Sequence, residues 1–148
     1  MKNLILFFTA IVGIGRNNVI DIPIDYAARM CIRNLEKKLE NCVKTKTPVY
    51  MVVAIMGSTE QGAVDPLAEI LQLRQKFEGK GLSFVVHCDA AWGGYFASML
   101  RDLPTEDAKL QCLFNDPSYV PSMSLQSYTK TQLQAYGRAD SITIDPHK

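Results

Sequence analysis

Val49-YMVVAIMGSTEQGAVDPLAEILQLRQKFEGKGLSFVVHC-Asp89 is the stretch from which the architecture follows. It opens on a continuous apolar run, Val49 to Met56, set off by Pro48 and stopped by Gly57. An uninterrupted run of that length predicts a strand buried on both faces. Asp65 followed by Pro66 supplies an N-cap and a first-turn proline. Leu67, Ile70, Leu71, Leu73 and Phe77 then recur at helical spacing until Gly79 and Gly81 end the pattern. Leu82 to Val86 predicts the next buried strand, and the apolar character runs out at Asp89. Strand, helix and strand in that order predict a parallel pair joined by a right-handed crossover.

The same alternation extends outward. Upstream, Ile32, Leu35, Leu39 and Val43 repeat at helical spacing while Arg33, Glu36, Lys37, Lys38 and Glu40 fill the other face. That pattern predicts an amphipathic helix from about Cys31 to Lys44. Leu4 to Val12 has the makeup of a further strand. Downstream, Tyr95 to Leu100 predicts a short helix, and 102–122, with Pro104, Pro117 and Pro121, a surface loop. Ser124 to Tyr136 predicts a helix capped by Gly137, and Ile142 to Ile144 the last strand. The expected fold class is α/β, a partial and mostly parallel sheet with flanking helices. No internal repeat or low-complexity segment is present.

The chain has 148 residues, and its 16 lysines and arginines nearly balance 15 acids, for a net charge of +1. Nothing in that balance, and no long single-sign run, points to nucleic acid or an acidic membrane surface. The four cysteines (Cys31, Cys42, Cys88 and Cys112) lack C-x-x-C spacing and sit among apolar residues. Reduced, packed thiols of an intracellular protein are the expectation. No metal site is expected, since neither His87 nor His147 has metal-ligand spacing to a second cysteine. Met1 to Gly13 has one positive charge and a short apolar run, the outline of a secretory signal over residues 1–15, but lacks a clear cleavage site. An ordinary buried segment is the preferred reading, and the run is too short to cross a bilayer.

Two strand ends carry the candidate chemistry. Val85-Val-His87-Cys-Asp89-Ala-Ala91-Trp-Gly93-Gly94 ends an apolar strand on an acid. Ala139-Asp-Ser-Ile-Thr-Ile-Asp-Pro-His147-Lys148 ends another on a lysine. In an α/β protein two such ends face one crevice. A lysine on a partly buried turn can attack an aldehyde, whereas an ordinary lysine is simply solvated. A carboxylate at a strand end is costly unless paired or hydrogen-bonded, so Asp89 is either a cap or salt-bridged acid, or the partner of a cationic ligand atom. Those two groups are the ones a pyridoxal phosphate enzyme most needs from its protein. Ala90 and Ala91 would leave a flat surface for a ring, and Gly93 and Gly94 permit close backbone approach. Gly57-Ser-Thr59-Glu-Gln-Gly62 offers hydroxyls at a strand's carboxyl end, for phosphate or a phenolic oxygen, or is a turn with satisfied side chains. Gly13-Ile-Gly15 lacks the third glycine of a dinucleotide fingerprint. Trp92, Tyr95 and Phe96 read as core or interface rather than as a substrate cage.

Three segments in order, Ala54 to Pro66, His87 to Tyr95 and Asp140 to Lys148, resemble successive motifs of the group II pyridoxal-phosphate-dependent amino-acid decarboxylases. The wording is closest to the bacterial-type tyrosine decarboxylases, where Gly13-Ile-Gly-Arg-Asn17 also fits. The resemblance covers the chain from about Ile11. It implies that residues 11–148 are part of a large domain of fold type I, truncated at both ends, with 1–10 a poorly matched segment.

By that resemblance Lys148 would form the imine with pyridoxal 5'-phosphate and Asp89 would pair with its pyridine nitrogen. Ala91 would lie against the ring, Thr59 near the phenolic oxygen or substrate, and Ser141 and His147 near the phosphate. The implied reaction is decarboxylation of an L-amino acid, aromatic and tyrosine-like, to its amine by the complete form. That form is implied to be a cytoplasmic homodimer with no nucleic-acid or membrane partner. This shorter chain is expected to bind the cofactor weakly or not at all. Alternatives are another fold type I lyase, or an inactive fragment that pairs with an intact relative.

Overall fold

A computed structural model of the chain describes residues 13–100 and 125–146. The expected strand at Leu4 to Val12, the loop at 102–122, Cys112, His147 and Lys148 lie outside the described residues. Three strands form one sheet: β1 (Met51–Ile55), β2 (Val85–Asp89) and β3 (Ser141–Thr143). They are parallel and ordered β1-β2-β3, so the expected parallel α/β sheet is present.

Helix α1 (Ile32–Thr45) buries Leu35, Leu39 and Cys42, the stripe its spacing predicts. It ends where Lys46 turns left-handed at φ 54°, so that Lys46 N–H reaches Val43 O and Thr47 N–H reaches Cys42 O. This is the double bond of a Schellman cap, built on a lysine where glycine is usual. Helix α2 (Leu67–Glu78) crosses from β1 to β2 and buries Leu67, Ile70, Leu71, Leu73 and Phe77. Helix α3 (Ser127–Gln134) docks through polar contacts: Gln132 Oε1 accepts Ala68 N–H at 2.8 Å and Tyr128 Oη donates to Val64 O at 3.0 Å. Helices α1 and α2 and the inward residues Val52, Ala54, Met56, Val86, Cys88 and Ala90 make one core.

Several expectations need correction. Asp65 does not cap α2: its carboxylate accepts Met30 N–H at 2.7 Å and Ile55 N–H at 2.8 Å, joining two distant segments. Burial pushes its pKa above 3.8, and the two backbone bonds act against that rise. Pro66, which has no N–H to satisfy, occupies the start of the helix instead. The second strand runs to Asp89 rather than stopping at Val86, because its register is set by pairing Met51 with Val85 through Ile55 with Asp89. Leu82 and Phe84 are buried but precede the ladder. β1 is not covered on both faces; Met51 is 49% exposed. α3 stops before its expected end, and Gly137 lies within a 3-10 turn, Tyr136–Arg138, with no left-handed cap. Of the two readings of Trp92, Tyr95 and Phe96, core or interface, their exposure removes only the core. No helix among the described residues is long and apolar enough to cross a membrane.

Strand alternation then positions the site. Side chains of Val52, Ala54, Val86 and Cys88 point into the core, so Val53, Ile55, His87 and Asp89 share the opposite face. Register places His87 beside Ser141 and Asp89 beside Thr143 on that same face.

Candidate functional site

Asp89 is the last residue of β2 and is half-buried. One carboxylate oxygen, Oδ1, accepts a long bond of 3.3 Å from Ala91 N–H, and among the described residues Oδ2 accepts none. A half-used carboxylate at a strand's carboxyl end is suited to a cationic ligand atom, which would supply the missing bond. Ala91 follows Asp89 at the same edge and is half-buried, with buried Ala90 between them. Small side chains here keep that edge open to a flat ligand.

Glycines set how closely the loops at this edge meet. A Cβ on Gly93 would lie 1.9 Å from Met56 O, and one on Gly57 would lie 2.7 Å from Gly93 Cα. Gly57 also needs φ +99°, which L side chains rarely adopt. The turn after β2 therefore rests directly on the end of β1. Gly94 in turn receives Ile144, whose Cγ1 lies 2.9 Å from where a Cβ would be. The loops after β1 and β2 thus meet backbone on backbone, and the exit of β3 packs on Gly94 through the Ile144 side chain.

Thr59 stands exposed in the turn after β1. Its neighbour Ser58 is the satisfied member of that turn, Oγ accepting Ala63 N–H at 3.0 Å. Ser141 sits at the start of β3, away from the carboxyl edge, where its Oγ meets His87 Nδ1 at 2.7 Å. Asp89, Ala91, Thr59 and the exit of β3 therefore share one edge, while Ser141 lies deeper on the same face as Asp89. His147 and Lys148 are outside the described residues, and the chain runs toward them from Thr143 through Ile144, Asp145 and Pro146.

Two features were absent from the sequence reading. His87 bonds to β3 at both ring nitrogens, the second through Nε2 and Thr143 Oγ1 at 3.3 Å. Spacing of two in His87/Asp89 and in Ser141/Thr143 was the available signal, since it puts each pair on one face of its strand. Asp140 also braces the entry to β3: Oδ2 accepts Val86 N–H at 2.7 Å and pairs with Arg74 Nη1 at 2.5 Å. Cys88, between His87 and Asp89, points the other way into the core, and burial pushes its thiol up to about 11. Cys31, Cys42 and Cys88 are all free thiols, and Cys42 and Cys88 are buried.

A parallel sheet that gathers an acid, small residues and glycine-backed turns at the carboxyl ends of its strands defines an α/β protein, and that is the edge at which open α/β sheets bind their ligands. The family model of the pyridoxal-dependent decarboxylase conserved domain matches residues 5–109, more than half of the chain, and the chain belongs to that family. Pyridoxal 5'-phosphate is the cofactor of the family. The chain is 38% identical to the L-tyrosine decarboxylase of Levilactobacillus brevis, over 93% of its own length and 23% of the relative's. It is 36% identical to the corresponding enzyme of Enterococcus faecium with the same coverage. Among solved structures it resembles mouse CSAD in apo form, with a TM-score of 0.63 and 30% identity over 97% of this chain and 24% of that one. The chain spans about a quarter of the length of the curated relatives it matches. The residues at the carboxyl edge suit the family's cofactor, because Asp89 keeps one oxygen without a bond among the described residues and Ala91 presents only a methyl group.

Proposed function

We propose that this chain is the central part of the cofactor-binding domain of an amino-acid decarboxylase. Its complete form would convert an aromatic, tyrosine-like L-amino acid to the amine and carbon dioxide. The half-used carboxylate of Asp89 at the carboxyl edge carries the reading. Similarity to two L-tyrosine decarboxylases supports the substrate class. Pyridoxal 5'-phosphate, when bound, supplies an electron sink for the bond-breaking step.

The chain's own residues divide the work. Asp89 holds a proton on the pyridine nitrogen by its negative charge, because the cationic ring is the better partner for a partly desolvated carboxylate. Lys148 would hold the cofactor at its aldehyde carbon through the side-chain amine. Ala91 lets the ring lie flat, Thr59 binds at the phenolic oxygen or the substrate, and Ser141 and His147 serve the phosphate end. The complete enzyme works as a homodimer. The 148-residue chain alone is inactive in this reading, because Val85 and Met51 leave the Asp89 face open to water.

Reductive trapping tests the assignment even if binding is weak. Incubation with pyridoxal phosphate, reduction with borohydride and peptide mass spectrometry should find Lys148 labelled about tenfold above the exposed Lys130, a preference of about 1.4 kcal/mol. Asp89→Asn should erase most of that preference. Equal labelling of all lysines in the wild type would remove the reading. Product analysis of a longer form supplied with tyrosine, glutamate or cysteine separates decarboxylation from other lyase chemistry.

A further inference from the structure

We propose that His87 is a positioning residue whose imidazole, bonded at both nitrogens to hydroxyls of β3, fixes the strand that leads to Lys148 relative to Asp89. The inference rests on the reading that Lys148 and Asp89 serve one cofactor.

β3 is three residues long, all of them exposed, and among the described strands it pairs with β2 alone. Beyond that ladder, Ala90 N–H donates to Thr143 O at 3.0 Å and Asp140 N–H to Val86 O at 2.9 Å, and the Asp140 carboxylate holds the strand's entry. A strand this short is prone to slip in register, and a slip of one residue would turn every side chain to the other face. His87 opposes that slip. Nδ1 meets Ser141 Oγ at 2.7 Å and Nε2 meets Thr143 Oγ1 at 3.3 Å, so one rigid ring spans alternate positions of β3. Each hydroxyl can donate or accept, so both bonds form in either neutral tautomer of the ring. A one-residue shift would put Ile142 in reach of the ring and leave both nitrogens without these partners. Lys148 follows Thr143 by five positions, with Pro146 stiffening the path, so an error in β3 passes on to the lysine. His87 and Asp89 stand two apart on the same strand face, and the clamp and the acid therefore share one rigid reference.

Hydrogen exchange and lysine trapping on the same variants test this. In His87→Leu the Ala90 amide, which bonds to β3, should exchange about tenfold faster. The Met56 amide, which bonds to Asp89 O on the β1 side, should keep its wild-type rate. The share of trapped pyridoxal phosphate found on Lys148 should fall severalfold. His87→Gln, which keeps a donor and an acceptor, should recover part of both effects. Ser141→Ala combined with Thr143→Val leaves the ring in place and should reproduce the faster Ala90 exchange of His87→Leu, the readout that does not depend on the Ser141 hydroxyl, which guards against a variant that merely misfolds. Unchanged Ala90 exchange in these variants overturns the clamp. Faster exchange with an unchanged Lys148 share overturns its positioning role. If the wild type shows no preference for Lys148, the functional reading fails, and the clamp is then decided by Ala90 exchange alone.

Discussion

Gly93 and Gly94 are adjacent, and the fold asks different things of them. A methyl group on Gly93 would collide with a carbonyl oxygen of β1, a backbone atom that can move only with its strand. A methyl group on Gly94 would press on both γ carbons of Ile144, side-chain atoms that can give by a few tenths of an ångström where a strand carbonyl cannot. Gly93→Ala should therefore cost about 3 kcal/mol and Gly94→Ala about 1 kcal/mol, the upper and lower ends for overpacking. Denaturant midpoints of the two variants check the order, and equal losses would contradict the contact geometry. The sequence shows two glycines after an acid and implies close approach, but it does not say which neighbour each one meets. That Asp89 and Ala91 follow an apolar run was plain in the sequence; that the strand itself extends to Asp89 was not. The double bond of His87 to β3 was not, since it joins residues 54 and 56 positions apart.

At the level of elements, periodicity carried most of the reading. α1 and α2 lie within a residue or two of their expected bounds, because each has an apolar stripe that only one side of a helix can bury. β2 came out displaced toward its C-terminus, since pairing with β1 determines where a ladder stops and pairing is not local information. Asp65 was misread because a carboxylate before a helix has the same letters whether it caps that helix or ties down other segments. The end of α1 offers a test of local strain. Lys46 holds a left-handed conformation that costs an L residue about 1 kcal/mol or more. Lys46→Gly should thus raise stability by about 1 kcal/mol, read as a higher denaturation midpoint with an unchanged slope. A lower midpoint would show that the lysine side chain contributes more than its backbone conformation loses.

Over the whole molecule, the sheet has a dry face and a wet one. Helices cover Val52, Ala54, Val86 and Cys88, while Met51 and Val85, paired across β1 and β2, remain 49% and 42% exposed. Apolar residues side by side on an open face favour self-association. Met51→Lys together with Val85→Thr should lower light scattering of concentrated solutions without lowering the unfolding free energy by more than about 0.5 kcal/mol, as expected for surface positions. Undiminished scattering would place the adhesive surface elsewhere.

The opposed orientations of Cys88 and Asp89 have a chemical consequence. Neighbours in the chain, they belong to separate compartments: the sulphur is sealed in hydrocarbon and kept protonated, while the acid looks outward. A carbonyl group bound beside Asp89 would therefore meet no thiolate from the adjacent position. A single alternation of the pleat keeps the Cys88 sulphur off the face that carries Asp89.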